Sequence, residues 1–158
     1  MTVRIPLVYD GNGEIEQLQS GDSLSTTAQL PQYTNGSGSP IVIGAPVYIS
    51  SNDTVQLAEA NASGTVGVIG LVAQASISAS SVGSIQVEGI LTATTTQWNS
   101  ITGGSSGLTA GTKYYLSATT AGLLTSAPTT TIGQYVLRVG RAISTTEMKI
   151  DIGCQILL

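Results

Sequence analysis

The segment GAPVYIS at residues 44–50 has a counterpart in the segment GTKYYLS at residues 111–117. Both begin with glycine, and both carry a tyrosine between two large side chains, followed by a serine. Side chains alternate between the two faces of a strand, and β-branched and aromatic side chains pack well on a pleated surface. Each segment is therefore predicted to be a β-strand.

A second pair of similar segments follows at nearly the same separation. It consists of VIGLVA at residues 68–73 and RVGRAI at residues 138–143. A repeat of this length exceeds the usual solenoid unit and fits duplicated small β modules better. We therefore predict that residues 41–92 and 108–158 form similar strand arrangements.

Turn signals divide the sequence after Pro40 into short segments rich in Val, Ile, Leu and Tyr. Examples of these turns are SND at residues 51–53 and GGSSG at residues 103–107. Many short strands at even spacing are typical of a sandwich or a barrel. No helix is predicted. The strand candidates are residues 41–50, 55–58, 66–73, 84–92, 113–117, 123–126, 135–143 and 148–156.

The composition supports the same class. Charged residues make up only 9% of the chain and Phe is absent, while Val, Ile, Leu, Ser and Thr are abundant. Ordinary soluble domains carry about 25% charged residues, and long charged side chains commonly coat helices. The predicted fold is therefore all-β: a β-sandwich or barrel-like body of two similar small modules, preceded by an extended N-terminal hairpin and arm.

The N-terminal part differs from this body. Residues 3–9 and 14–18 flank the turn DGNG and are predicted to form a hairpin. Residues 19–40 are rich in Gly, Ser, Thr and Asn, as in a linker or extended arm. The predicted division is a hairpin and extended arm at residues 1–40 and a β-rich body at residues 41–158. The candidate interaction residues are Ile5, Leu7, Tyr9, Ile15, Leu18 and Tyr33.

The charge and the hydrophobic pattern of the chain limit which partners are expected. The formal net charge is −4 and there is no cluster of Lys and Arg, so nucleic acid is not an expected partner. No stretch approaches the roughly 20 apolar residues that a membrane-spanning helix requires, so no membrane partner is expected. Cys154 is the one cysteine and lies in an apolar run, where we expect a small buried residue.

A catalytic motif is present only in part. Residues 21–24 are GDSL, the signature of a family of lipases and esterases in which the serine is the nucleophile. A serine needs a base to be nucleophilic at neutral pH, and the chain contains no histidine. We therefore expect no catalytic residues and no enzyme activity. A carboxylate-only hydrolase, with Glu14 or Glu88 as its acids, is the remaining enzymatic alternative.

Two acidic turns offer oxygen ligands of the kind that calcium prefers. They are Asp10 with Asn12, and Asn52 with Asp53. Asp and Asn also favour turns because their side chains bond to nearby backbone groups. The turn interpretation is favoured, and no metal or other cofactor is expected.

The aromatic residues have two interpretations. Trp98, Tyr114, Tyr115 and Tyr135 either line a sugar-binding surface or pack in the core. Because the chain has no Phe, we expect the Trp and Tyr rings to fill much of the hydrophobic core. Tyr48 and Tyr115 occupy the same place in the two predicted modules, and both are predicted to lie in the core.

Three segments of the second half carry a resemblance to known proteins. They are GLTAGTKYYLS at residues 107–117, GLLT at 122–125 and GQYVLRVGRA at 133–142. Together they look like a module common in virion proteins of tailed phages.

The middle of the chain, from residues 44–50 through 68–73 to 83–91, is similar to phage head decoration or capsid fibre proteins. The opening IPLV at residues 5–8, with residues 14–22, also resembles phage structural proteins. This resemblance implies a β-rich cement protein, dimeric or trimeric, that binds the major capsid protein on the outer surface of the head. Its location would be the virion. A tail-fibre, baseplate or receptor-binding module is the main alternative.

Overall fold

The computed structural model describes residues 7–9, 15–17 and 30–158. Several residues on which predictions rest lie outside this part of the chain. They are Ile5, Asp10, Asn12, Glu14, Leu18, the GDSL segment at 21–24 and the arm up to residue 29.

Both strands of the predicted N-terminal hairpin are present in the structure. Strand β1 (Leu7–Tyr9) pairs antiparallel with β2 (Ile15–Gln17). In this register Tyr9 lies opposite Ile15.

The regular secondary structure of the rest of the described chain consists of short β-strands and one helix, which confirms the predicted all-β class. The elements are β3 (Gln32–Asn35), β4 (Ile41–Val42), β5 (Pro46–Ser51), β6 (Thr54–Leu57), β7 (Val68–Val72), β8 (Ser76–Ile77), β9 (Val82–Gln86), β10 (Gly89–Thr92), α1 (Thr95–Thr102), β11 (Lys113–Leu116), β12 (Leu124–Thr125), β13 (Tyr135–Val136), β14 (Arg138–Ala142), β15 (Glu147–Ile150) and β16 (Ile156–Leu157).

A closed barrel forms the first half of the body. Its strand order is β3-β6-β5-β7-β9, and β3 closes it by pairing with both β6 and β9. The buried amide of Asn35 donates to the carbonyl oxygens of Ser39 and Ile77, each at 2.8 Å. Strand β3 lies within residues 19–40, so the last part of the predicted arm is structurally a barrel strand.

A second, five-stranded sheet has the order β10-β15-β14-β11-β12. Its central strands repeat the pairing of the barrel: β5 pairs with β6 and β7, and β11 pairs with β12 and β14. The registers correspond, since Val47 lies opposite Gly70 and Tyr114 lies opposite Gly140. A β-bulge follows Val47 in one sheet and Tyr114 in the other. The two sheets therefore share this local pairing pattern, and the repeat of residues 41–92 and 108–158 stays a prediction.

The two strand arrangements divide the sequence differently from the predicted ranges. The single strand predicted at residues 84–92 is two strands, separated at Val87 and Glu88. Strand β9 belongs to the barrel, whereas β10 pairs with β15 in the second sheet. Gly89 adopts a φ of 85°, a left-handed conformation that glycine accepts without a steric penalty.

The prediction that the chain has no helix is wrong. Helix α1 begins after Thr94, whose side chain accepts a hydrogen bond from the Gln97 amide, and it ends at Gly103 with a φ of 68°. Only Trp98 and Ile101 are buried from this helix, so its apolar pattern is too short to show a helical period. Helix α1 packs beside β12.

One hydrophobic core joins the two halves. Backbone hydrogen bonds also cross between them: the Ala60 amide donates to Ser117 at 2.9 Å, and the Tyr135 amide donates to Ala60 at 2.8 Å. Trp98 is fully buried, and its indole nitrogen donates to the carbonyl oxygen of Thr146 at 2.9 Å. The body of residues 30–158 is therefore a single packed unit.

Three core predictions need correction. Tyr48 is partly buried and packs against the core, and Tyr115 is partly buried between the buried residues Tyr114 and Leu116. Tyr114 is the tyrosine that reaches the core, with 5% of its surface exposed. Cys154 is exposed, not buried, because it lies between β15 and β16 in a segment outside the sheet.

Candidate interaction surface

The C-terminal strand pair projects large apolar side chains into solvent. Strands β13 and β16 pair antiparallel, and the Leu158 amide donates to the carbonyl oxygen of Gln134 at 3.0 Å. We call residues 132–136 and 156–158 the C-terminal ribbon. Its exposed fractions are 89% for Ile132, 58% for Ile156, 59% for Leu157 and 40% for Leu158.

These residues lie on two neighbouring segments of the ribbon. The Gly133 amide, next to Ile132, donates to the carbonyl oxygen of Leu158 at 2.9 Å. Apolar residues scattered singly over a surface are ordinary, but adjacent ones that stay in water mark a contact surface. The ribbon is therefore a candidate protein-binding surface of the described body.

The ribbon carries no charged side chain. Arg138 lines a depression together with Val136 and Ile156 of the ribbon, and it forms an ion pair with Asp151 at 2.9 Å. The depression has a volume of about 250 Å³, and Tyr115, Gly153 and Cys154 complete its lining. A partner that docks here meets a mainly apolar surface beside two charged side chains that pair with each other.

The structure separates the predicted interaction residues. Leu7, Tyr9 and Ile15 lie in the hairpin strands β1 and β2. Tyr33 lies in β3 of the barrel, where it is partly buried and packs against the core. Ile5 and Leu18 lie outside the described residues. The assignment of these residues to a binding surface stays a prediction.

Sequence reasoning missed the ribbon. The sequence nevertheless held a signal, because residues 152–158 contain no charged side chain and end in three large apolar residues. Such a run fits a buried strand as well as an exposed one. Only the pairing of β16 with the short β13, away from the two larger sheets, leaves it in solvent.

A second surface feature is a hydroxyl-lined pocket. Its volume is about 330 Å³, and it lies between the loop after α1, Tyr114 and the end of β12. The Tyr114 hydroxyl accepts a hydrogen bond from the Thr109 amide at 3.0 Å. Asn99 holds the loop in place, since its side-chain oxygen accepts from the Gly107 amide at 2.7 Å. Ser105, Ser106 and Ser126 complete the lining, which contains no charged group.

The residues considered for other chemistry lie elsewhere. Trp98 is buried in the core and cannot line a sugar-binding surface. Asp53 occupies a turn with a φ of 50°, and its backbone oxygen accepts from the Thr34 amide at 2.7 Å. Glu88 is exposed in the turn between β9 and β10. Across residues 7–9, 15–17 and 30–158, no three Cys, Asp or Glu side chains lie together as metal ligands would.

The chain matches no protein-family model, and no curated protein matches its sequence. In the part of the chain that the structure describes, no helix has both the length and the apolar character needed to cross a membrane.

Proposed function

We propose that this chain is a structural protein of a tailed-phage virion, a decoration or cement protein that binds the outer surface of the head and stabilises the capsid. The proposed role is not enzymatic. The observation that carries the proposal is the exposed, uncharged apolar ribbon on a β-rich body that has few charges elsewhere. Such a surface suits protein–protein contact. The resemblance of the sequence segments to phage head proteins supports the phage head as the assembly to which the chain binds.

The physical properties of the body fit this role. Its single core and its hydrogen bonds between halves give a packed unit, although the one cysteine cannot form an internal disulfide. A capsid presents many identical sites. Weak contacts made by many linked copies then add up to firm attachment through their high effective concentration.

The N-terminal hairpin and arm are proposed to attach the body to the major capsid protein. The structure sets the boundary for testing this idea, because β3 closes the barrel and must be kept. Deleting residues 2–29 removes the hairpin and arm but leaves β3. We expect this variant to lose binding to capsids while its circular dichroism and melting curve stay close to those of the full chain.

A longer deletion supplies the control. Removing residues 2–38 also removes β3, and we expect that variant to lose the barrel as well as the binding. If the variant that lacks residues 2–29 occupies capsids as fully as the full chain does, the proposed role of the arm is refuted.

The location in the virion needs a separate measurement. Immunogold electron microscopy with antibody against the chain should label the head of the source phage. Label confined to the tail tip would favour the alternative of a fibre or receptor-binding module. No label on any particle would contradict a virion role altogether.

The hydroxyl-lined pocket favours a second candidate function, a receptor-binding module for a neutral sugar. Hydroxyl and backbone groups without charge suit a polyhydroxylated ligand, because each can donate or accept a hydrogen bond. Glycan-array binding that is lost in the Tyr114→Phe variant and kept in a Tyr48→Phe control would support this function. Absence of binding to every glycan would count against it.

A further inference from the structure

We infer that the C-terminal ribbon is a self-association surface, and that its partner is the same ribbon of a second copy of this chain. The inference rests on the proposed function and deepens it, since it assigns one contact of the decoration protein to named residues. The hairpin and arm remain the proposed contact with the capsid.

The first argument is the free edge of β16. The Leu158 amide points toward β13, where it donates to Gln134. Amides alternate in direction along a strand, so the Leu157 amide points to the other side. Among the described residues β16 pairs only with β13, which leaves that edge open. An open edge between apolar side chains favours the addition of another strand.

The second argument is charge. The whole chain carries a formal charge of −4, so two copies repel each other at most orientations. The ribbon has no charged side chain, and Arg138 and Asp151 beside it already neutralise each other. Two copies can therefore meet on the ribbon without placing charged side chains of like sign together.

The third argument is symmetry. An antiparallel strand pair can be related by a two-fold axis, so that β16 of one copy lies beside β16 of the other. In such an interface the same patch serves both copies, and it has to complement itself. A strand with only apolar side chains meets this condition, whereas a strand whose side chains carry one sign of charge does not.

The test measures the mass of the purified chain by light scattering over a concentration series. We expect a dimer or a larger oligomer for the natural sequence. The Ile156→Glu variant places a charge on the edge strand and should weaken self-association by about tenfold or more, as expected when like charges meet across an interface. A monomer at all concentrations for the natural sequence would overturn the inference.

The matched control is Ile90→Glu. Ile90 is also a strand isoleucine, with 53% of its surface exposed against 58% for Ile156, but it lies on β10 of the second sheet. This variant should associate as the natural chain does. Equal weakening by both substitutions would contradict a specific role for the ribbon.

Cys154 provides an independent readout. It is exposed, it is the only cysteine, and it precedes β16 by two residues. A short bis-maleimide reagent should join two chains of the natural sequence through Cys154. The yield should fall in Ile156→Glu and stay unchanged in Ile90→Glu. Equal yields in all three proteins would indicate random collision and contradict the inference.

These measurements separate the inference from the proposed function. A monomeric chain whose antibody labels the phage head would refute the inference alone. If Ile156→Glu loses capsid occupancy while the natural chain is monomeric, then the ribbon binds the capsid and the second copy is not its partner. An oligomer that labels no particle would refute the proposed function alone.

Discussion

At the scale of single residues, Gly70 and Gly140 hold corresponding places in the barrel and in the second sheet. A Cβ at Gly70 would lie 2.5 Å from the Gln86 oxygen, and one at Gly140 would lie 2.6 Å from the Lys149 oxygen. Both distances are far below van der Waals contact with backbone atoms, which cannot move independently of the sheet. The same close approach between neighbouring strands explains glycine at both positions.

The Gly140→Ala variant tests this explanation. We expect it to lower the free energy of unfolding by about 1–3 kcal/mol, because an added methyl in a packed region forces the strands apart. Urea denaturation followed by circular dichroism would measure the change. Gly64→Ala is the control, since a Cβ there meets no atom within 4 Å. Equal stability of the two variants would show that the strands adjust freely.

At the scale of elements, the two sheets differ at one edge. In the barrel β3 pairs with β6, whereas in the second sheet α1 packs beside β12. Strand β3 pairs with β9 and closes the barrel on β6, whereas β10 pairs with β15 and the chain then enters α1 beside β12. Helix α1 also contacts the barrel half: a Cβ at Gly44, which has a φ of 81°, would lie 2.9 Å from the Trp98 ring. The helix therefore connects the two sheets through a shared core.

The start of α1 offers a prediction at this scale. The Thr94 side chain accepts from the Gln97 amide, and the Gln97 side chain accepts from the Thr94 amide. Thr94→Ala should destabilise the protein by about 1 kcal/mol, the usual effect of losing such a cap. Thr96→Ala, an exposed change inside the helix, should be neutral or slightly stabilising because alanine is the better helix former. Thermal melting of both variants would reveal the difference.

From the sequence, several strands were predicted accurately, whereas the helix and the first barrel strand were not. The strands at residues 54–57, 68–72 and 113–116 were predicted within about two residues, because each has a clear apolar pattern bounded by turns. Helix α1 was missed because Thr and Ser dominate it and only Trp98 and Ile101 face the core. The start of the barrel was misplaced because β3 lies in a polar, glycine-rich region and is short.

At the scale of the whole molecule, the shared core predicts how the protein unfolds. The buried cluster contains residues of both halves, and the Ala60 backbone bonds to Ser117 and Tyr135. Loss of one sheet would expose the core of the other. We therefore expect residues 30–158 to unfold in a single cooperative transition.

Calorimetry would check this expectation. The calorimetric enthalpy should equal the van't Hoff enthalpy for the variant that lacks residues 2–29. Two resolved transitions, or a stable isolated fragment covering residues 30–92, would show instead that the halves fold independently.

The sequence by itself determined the all-β class, the approximate place of most strands and the similarity of two segments in the first half to two in the second. These depend on local patterns of apolar side chains and turns, which act over a few residues. The tertiary structure alone decided that β3 closes a barrel, that Trp98 is buried and donates a hydrogen bond to Thr146, and that the C-terminal ribbon stays in solvent. An apolar strand has the same sequence whether it is covered or exposed, so its surroundings depend on how distant parts of the chain pack.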